Sequence, residues 1–267
     1  MEKRKTPGPY NVGMKPRRAI EREFGVPIAG EILEPSRWTH TAIKCLPASG
    51  PLSWKDIFGR EAPVVLDIGC GNGRFLIGSA VWRPDHDHFG IDVLPLVLRY
   101  ATRRANQRGL SNVRFAAIDG LRFLQYYVPP ATLTEIHCYH PQPYYDPRQV
   151  QRRLITPAFL ALVHRSLASA GRFFIQTDNP GYWRYIEEVL PMFFDFQRQE
   201  KTWPDAPKGR TRREIIALRR GLPVFRAWGA PRAGLSEADA IRLAESLPPP
   251  IFDADRSLRE LDSLENE

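Results

Sequence analysis

A chain of 267 residues can bury a sizeable core, and one domain of about 200 residues with appended ends is the simplest division. No apolar run approaches the roughly 20 residues that cross a bilayer, no secretion signal follows the basic start, and Cys45, Cys70 and Cys138 lack metal-ligand spacing, so a cytoplasmic protein with buried reduced thiols and no metal is expected. The net charge of +8 is uneven: residues 231–267 hold 4 basic and 9 acidic side chains, leaving 34 against 21, or +13, in residues 1–230, which points to nucleic acid rather than a membrane, or else to a solvated basic surface.

In chain order, the first 22 residues carry 7 basic and 2 acidic side chains. Residues 1–20 read as a flexible basic arm and 21–60 as a lead-in packed loosely on the core. The core itself runs within 21–230, followed by an acidic C-terminal extension over 231–267. Residues 64–68 read as a buried strand that ends in an acid and breaks into the glycine-rich turn Gly69, Gly71, Gly73, with a helix over 74–81. G-x-G-x-G differs from the G-x-G-x-x-G of dinucleotide sites, since Arg74 stands where that third glycine falls. Asp67 before the first glycine suits a cofactor with a cationic amino-acid end better than a pyrophosphate. The pattern resembles the first motif of class I S-adenosylmethionine-dependent methyltransferases. A second strand, 88–93, carries Asp92, where a carboxylate can accept from both ribose hydroxyls. A helix over 94–108 leads to a third strand, 112–118, and to Asp119, placed to meet an adenine edge. Each acid alone is as readily a cap or a loop residue; three at successive strand ends are harder to explain that way.

Strand four spans 134–140, and Thr156 can cap a helix over 157–168 that Gly171 ends. Strand five, 172–177, and a helix around 182–190 follow. Residues 214–228 alternate enough to close the sheet with antiparallel strands, and 237–246 form one amphipathic segment. Alternating strands and helices predict parallel βαβ units. The loop Tyr139-His140-Pro141-Gln142-Pro143-Tyr144-Tyr145 follows strand four: its prolines stiffen it, Gln142 both donates and accepts, and Tyr144 can stack on a base. Arg152 and Arg153, with 9 basic against 3 acidic residues over 198–226, are the expected phosphate contacts.

Taken in order, Phe58 to Pro63, Leu66 to Gly73, Gly90 to Val93, Asp119, the Pro-x-Pro loop, Arg152-Arg153-Leu154, Thr177-Asp178 and Thr211-x-x-Glu214 resemble the bacterial tRNA (guanine-N7-)-methyltransferase family over about residues 55–228. The resemblance implies an α/β, Rossmann-like class I methyltransferase fold, with a mostly parallel sheet closed by antiparallel strands and helices on both faces. It implies methyl transfer from S-adenosylmethionine to guanine N7 in the variable loop of tRNA. By position, Asp67, Gly69, Gly71, Gly73, Asp92, Asp119 and Gln142 would serve the cofactor. Asp178, Thr211 and Glu214 would serve the guanine, with Gln142 and Asp178 in the catalytic places. The family's Phe-Phe-Pro-Asp-Pro-Trp stands here as Tyr139-His140-Pro141-Gln142-Pro143-Tyr144, so its acid is the neutral Gln142, and Asp146 replaces a basic residue. A cofactor- and RNA-binding homologue with reduced catalysis, and a methyltransferase for a small molecule or a protein, are the alternatives.

Overall fold

The computed structural model describes residues 20–266; apart from Ile20, the basic arm expected over 1–20 lies outside the described residues. In chain order the elements are β1 (Arg22–Glu23), β2 (Val26–Pro27), β3 (Ala42–Ile43), α1 (Trp54–Phe58), β4 (Val64–Ile68), α2 (Arg74–Trp82), β5 (Asp87–Asp92), α3 (Pro95–Gln107), β6 (Val113–Ala117) and α4 (Gly120–Tyr126). They continue with β7 (Leu133–Tyr139), α5 (Pro157–Ser166), β8 (Leu167–Thr177), α6 (Pro180–Phe193), β9 (Phe194–Arg198), α7 (Arg212–Arg219), β10 (Phe225–Pro231), α8 (Glu237–Ser246) and α9 (Arg259–Asn266).

Among the described residues, eight strands form one sheet in the order β3-β6-β5-β4-β7-β8-β10-β9. All neighbours from β3 to β8 pair parallel, and β10 runs antiparallel between β8 and β9. The central strand β4 is buried throughout because helices cover both faces, which is why it reads as a continuous apolar run. Val64, Leu66 and Ile68 pack with α4, α5 and α6 residues such as Phe123, Phe159 and Tyr182; Val65 packs on the opposite side with Leu76, Ile77, Leu98 and Ala101 of α2 and α3. The chain leaves β4 first toward β5 and β6 and later returns to its other flank with β7. Strand order thus reverses at β4, and a crevice opens beyond its carboxyl end, where such sheets bind ligands.

Four expectations change. The helix before strand five ends at Ser166, and the strand runs from Leu167, with Gly171 lying within it rather than ending the helix. Residues 212–219 are helical, so of the stretch 214–228 only the start of β10 is strand, and it closes the sheet antiparallel together with β9. The lead-in is tightly held: Glu21 pairs with Arg104 and Arg108 at 2.8 and 3.0 Å, Arg74 Nη2 donates to Pro27 O at 2.7 Å, and β3 joins the sheet edge. Those ion pairs have no apolar periodicity to betray them. Cys45 is exposed, whereas Cys70 and Cys138 are buried.

The acidic extension also packs on the body. The α8 helix lies on α5; Tyr185 Oη donates to Pro248 O at 2.9 Å; the Phe252 ring sits 4.8 Å from that of Tyr182. Leu258 and Leu261 are buried with Ile216 of α7.

Candidate active site

A cavity of about 290 Å³ occupies the crevice beyond β4, β5 and β7. Of the residues singled out in the sequence, Asp67, Gly69, Gly71, Asp92, Asp119, Gln142, Tyr144, Arg152 and Thr211 line it. Gly69 and Gly71 adopt φ of +74° and +52°, with nothing within 4 Å of where a Cβ would stand, so the backbone itself faces open space. Gly73 departs from its expected role and lies outside the wall. A Cβ there would meet Ala101 Cβ at 2.9 Å and Phe115 Cζ at 3.2 Å, so this glycine lets α2 pack against α3 and β6.

Asp92 accepts from Gly71 N–H at 3.0 Å through Oδ2 and from Leu94 N–H at 2.9 Å through Oδ1. A carboxylate offers about four lone-pair sites, so each oxygen retains capacity for a hydroxyl. Asp67, only 3% exposed, has no hydrogen-bond donor among the described residues. Burial pushes its carboxyl up to about 8; the charge of Asp92 adds to the shift and Arg210 opposes it. A buried carboxylate without a donor at a cavity wall calls for a cation. With Asp92 and bare glycine backbone beside it, the wall fits a nucleoside carrying a cationic amino-acid end, as in S-adenosylmethionine. Asp119 is exposed at the rim and caps α4, accepting from Arg122 N–H at 2.9 Å.

The loop after β7 carries two non-glycine residues with positive φ, His140 at 51° and Tyr144 at 45°. Arg153 holds this loop, which overturns its assignment as a phosphate contact. It is 3% exposed, donates to Pro143 O at 2.6 Å, Tyr144 O at 3.2 Å and Pro250 O at 2.7 Å, and lies over the Phe252 ring at 3.6 Å. Arg152, one position earlier, is exposed at the cavity rim.

Asp178 and Glu214 stand behind the wall rather than in it. Asp178 accepts from Arg213 Nε at 2.6 Å, and His140 Nδ1 lies 3.6 Å away, an electrostatic contact rather than a hydrogen bond. Burial pushes the Asp178 carboxyl up, but His140 and Arg213 outweigh it and hold it well below the usual carboxylate range. His140 and Arg213 themselves line the cavity. Gln176 fixes the imidazole: its Oε1 accepts from Trp203 Nε1 at 2.7 Å, so its amide nitrogen is what meets His140 Nε2 at 3.1 Å. That nitrogen must accept, and the ring hydrogen sits on Nδ1, facing Asp178.

Glu214 is fully buried, accepts from Arg226 Nε and Nη2 at 2.9 and 2.6 Å, and takes the Arg210 N–H at 2.7 Å. Thr211 Oγ1 accepts from Glu214 N–H at 3.1 Å and caps the start of α7, while the Glu214 carboxylate takes the N–H of Arg210, the residue before the cap.

Two groups escaped the sequence reading, and Arg210 was read only as part of the basic stretch 198–226. Arg210 sits among Phe75, Tyr139, Phe174 and Trp203, with its Cζ 4.3 Å from the Trp203 ring, and pairs with Asp205 at 2.6 Å. Glu23 accepts from Asn72 Nδ2 at 2.7 Å and pairs with Arg104 at 2.8 Å, bracing the glycine turn. Asp262 pairs with Arg213 at 2.5 Å. Each depends on contacts between distant segments, and only the Arg-rich run around 210–213 gave any signal.

No helix of the described residues is long and apolar enough to cross a membrane. Residues 61–227 match a family described as putative methyltransferase. The tRNA (guanine-N(7)-)-methyltransferase of Photobacterium profundum is 30% identical over 176 residues, covering 66% of this chain and 71% of that protein. That of Alkalilimnicola ehrlichii is 31% identical over 218 residues, covering 80% and 92%. Among solved structures, the 16S rRNA methyltransferase KamB superposes with a TM-score of 0.52 at 15% identity, covering 72% of this chain and 98% of that one, a likeness of fold. By its matched core and these relatives, the chain belongs to the tRNA (guanine-N(7)-)-methyltransferase family.

Proposed function

We propose that this protein transfers the methyl group of S-adenosylmethionine to N7 of a guanine in the variable loop of tRNA, in the cytoplasm, with residues 21–230 as the methyltransferase body. Family membership is the observation that carries this reading. The carboxylates of Asp67 and Asp92 and the backbone of Gly69 and Gly71 would hold the cofactor, with Asp119 and Gln142 at its edges. S-adenosylmethionine, when bound, supplies an electrophilic methyl carbon on a sulfonium. Guanine N7 already carries a lone pair, so no base is needed to create the nucleophile. The protein's work is to align N7, exclude water and tolerate the charge that develops on the ring. Tyr144 stacks at the mouth and Arg152 meets phosphate. Asp178 would act from behind His140 and Arg213, the two wall residues it faces, while Thr211 and Glu214 act by fixing the start of α7.

Incubation of the protein with labelled methyl donor and unmodified bulk tRNA, followed by nucleoside analysis, tests the reading. Label in 7-methylguanosine is expected; label in another base, in protein or in a small molecule overturns it. One observation favours a second reading, a cofactor- and RNA-binding protein without efficient turnover: Gln142 is neutral where the family carries an acid. Binding of both partners without product would establish that alternative.

A further inference from the structure

The family match ends at residue 227, yet the chain returns beyond it to the substrate side of the cavity, where residues 250–264 touch three segments in turn. At the first, Pro250 O receives Arg153 Nη1 at 2.7 Å, and the Phe252 ring centre lies 3.6 Å from the same guanidinium, whose other donors hold Pro143 O and Tyr144 O. At the second, the Asp253 carbonyl lies so close to the start of α6 that a Cβ on Gly181 would meet it at 2.3 Å, and the Phe252 ring sits 4.8 Å from that of Tyr182. Asp178 directly precedes Asn179, the cap of that helix. At the third, Leu258 and Leu261 are buried against Ile216 of α7, Leu264 O receives Arg212 Nη2 at 3.1 Å, and Asp262 pairs with Arg213 at 2.5 Å.

Those three segments carry the groups assigned to the substrate: Tyr144 and Arg152 around the loop after β7, Asp178 before α6, and Thr211 and Glu214 at the start of α7. The loop also holds positive φ at His140 and Tyr144, a backbone that persists only where its surroundings fix it. On the cofactor side, the glycine turn is braced by Glu23 of β1 and Arg104 of α3, through Asn72. We infer that residues 250–264 form a clasp that positions the substrate side of the site. One stretch of chain, seated on Arg153, on Gly181 and on α7, sets the Pro-Gln-Pro loop, the start of α6 and the start of α7 relative to one another, with Phe252 as its central positioning residue. The inference rests on the proposed tRNA reading. It makes turnover of tRNA depend on the C-terminal extension while cofactor binding does not.

Full-length Phe252→Ala, Phe252→Tyr, Leu261→Ala and Gly181→Ala test it. kcat/KM for unmodified bulk tRNA is measured per S-adenosylhomocysteine-binding site and well below each melting temperature, so that unfolded protein does not enter the rate. Phe252→Ala takes the ring from Arg153 and Tyr182 and should lower kcat/KM about tenfold, with S-adenosylhomocysteine affinity within about twofold of wild type. Leu261→Ala acts at α7, and Gly181→Ala acts from the body, because its methyl must displace the Asp253 carbonyl while every side chain of the clasp is kept; both should show the same split. Phe252→Tyr keeps the ring and should keep the rate. The inference is overturned if Phe252→Ala and Leu261→Ala lower the melting temperature but leave kcat/KM unchanged, if S-adenosylhomocysteine affinity falls in parallel, or if Phe252→Tyr loses as much as Phe252→Ala. Hydrogen exchange on the wild-type protein gives an arm that needs no substitution: amides of 250–264 should lose protection together with those of 140–153 and 210–216, and far faster exchange of 250–264 alone overturns the inference. Wild-type protein that makes no 7-methylguanosine defeats the functional reading itself, and the inference with it; active wild-type protein whose rate is indifferent to the clasp defeats the inference alone.

Discussion

Binding of S-adenosylmethionine should release a proton from Asp67. In the ligand-free protein its carboxyl titrates at about 8, because burial and the neighbouring Asp92 disfavour the charge. At pH 7 the protonated form outnumbers the ionised form about tenfold, so creating the carboxylate costs about 1.4 kcal/mol there. If a bound ammonium group pulls that carboxyl back to its ordinary range, cofactor binding at pH 7 releases about 0.9 proton. Affinity should then rise close to tenfold per pH unit between about 5.5 and 7. Isothermal titration in buffers of different ionisation enthalpy reads the proton directly, as a buffer-dependent apparent enthalpy. Asp67→Asn should abolish both the buffer dependence and the pH slope, and weaken binding at pH 7.5. The same shift fixes the stability of the free protein. A carboxyl raised in the folded state favours folding fully below about pH 4, and that contribution is lost as pH rises through about 8. Asp67→Asn should therefore raise the melting temperature more at pH 8 than at pH 5. A wild-type enthalpy independent of buffer, or an unchanged pH slope in Asp67→Asn, would refute the reasoning.

Three further outcomes follow from the geometry. Asp92→Ala removes the acceptor that orders Gly71 and Leu94, and should weaken cofactor binding about 10- to 100-fold while tRNA affinity, measured by filter binding, hardly moves. Arg152→Ala should weaken tRNA binding and lower the slope of log affinity against log salt by about one; Arg153→Ala should leave that slope unchanged and instead lower the melting temperature, because its guanidinium is spent on three carbonyls. Glu214→Ala strands the buried Arg226 and should cost about 3–5 kcal/mol in denaturant unfolding, which a direct contact to substrate alone would not do.

The parallel half of the fold was legible because its strands are buried on both faces. Val64 to Ile68 and the glycine turn can be read without knowing their neighbours, and the three acids at successive strand ends followed from the period of the βαβ unit. Thr156 announced a helix start that depends only on a side-chain oxygen and an amide three residues on; Thr211 makes the same cap but stands before a stretch that reads as strands. What escaped was set by partners far along the chain. Arg153 read as a surface cation because nothing local reveals that Pro143 and Pro250 converge on it. The 214–228 stretch alternates like strands, yet its first part is helical, with Glu214 bound to Arg226 and the Arg210 amide. Glu23 and Asp262 lie in polar stretches without periodicity, yet both reach arginines around the cavity. Asp262 meets an arginine 49 positions away, which no local pattern announces.

Single-turnover methyl transfer from labelled S-adenosylmethionine to unmodified tRNA, with the modified base mapped, tests the central claim most directly, run with wild-type protein and with Gln142→Asp. The account predicts 7-methylguanosine in the variable loop from wild-type protein, because guanine N7 carries its own lone pair and needs no base at position 142. Product from Gln142→Asp alone would contradict it.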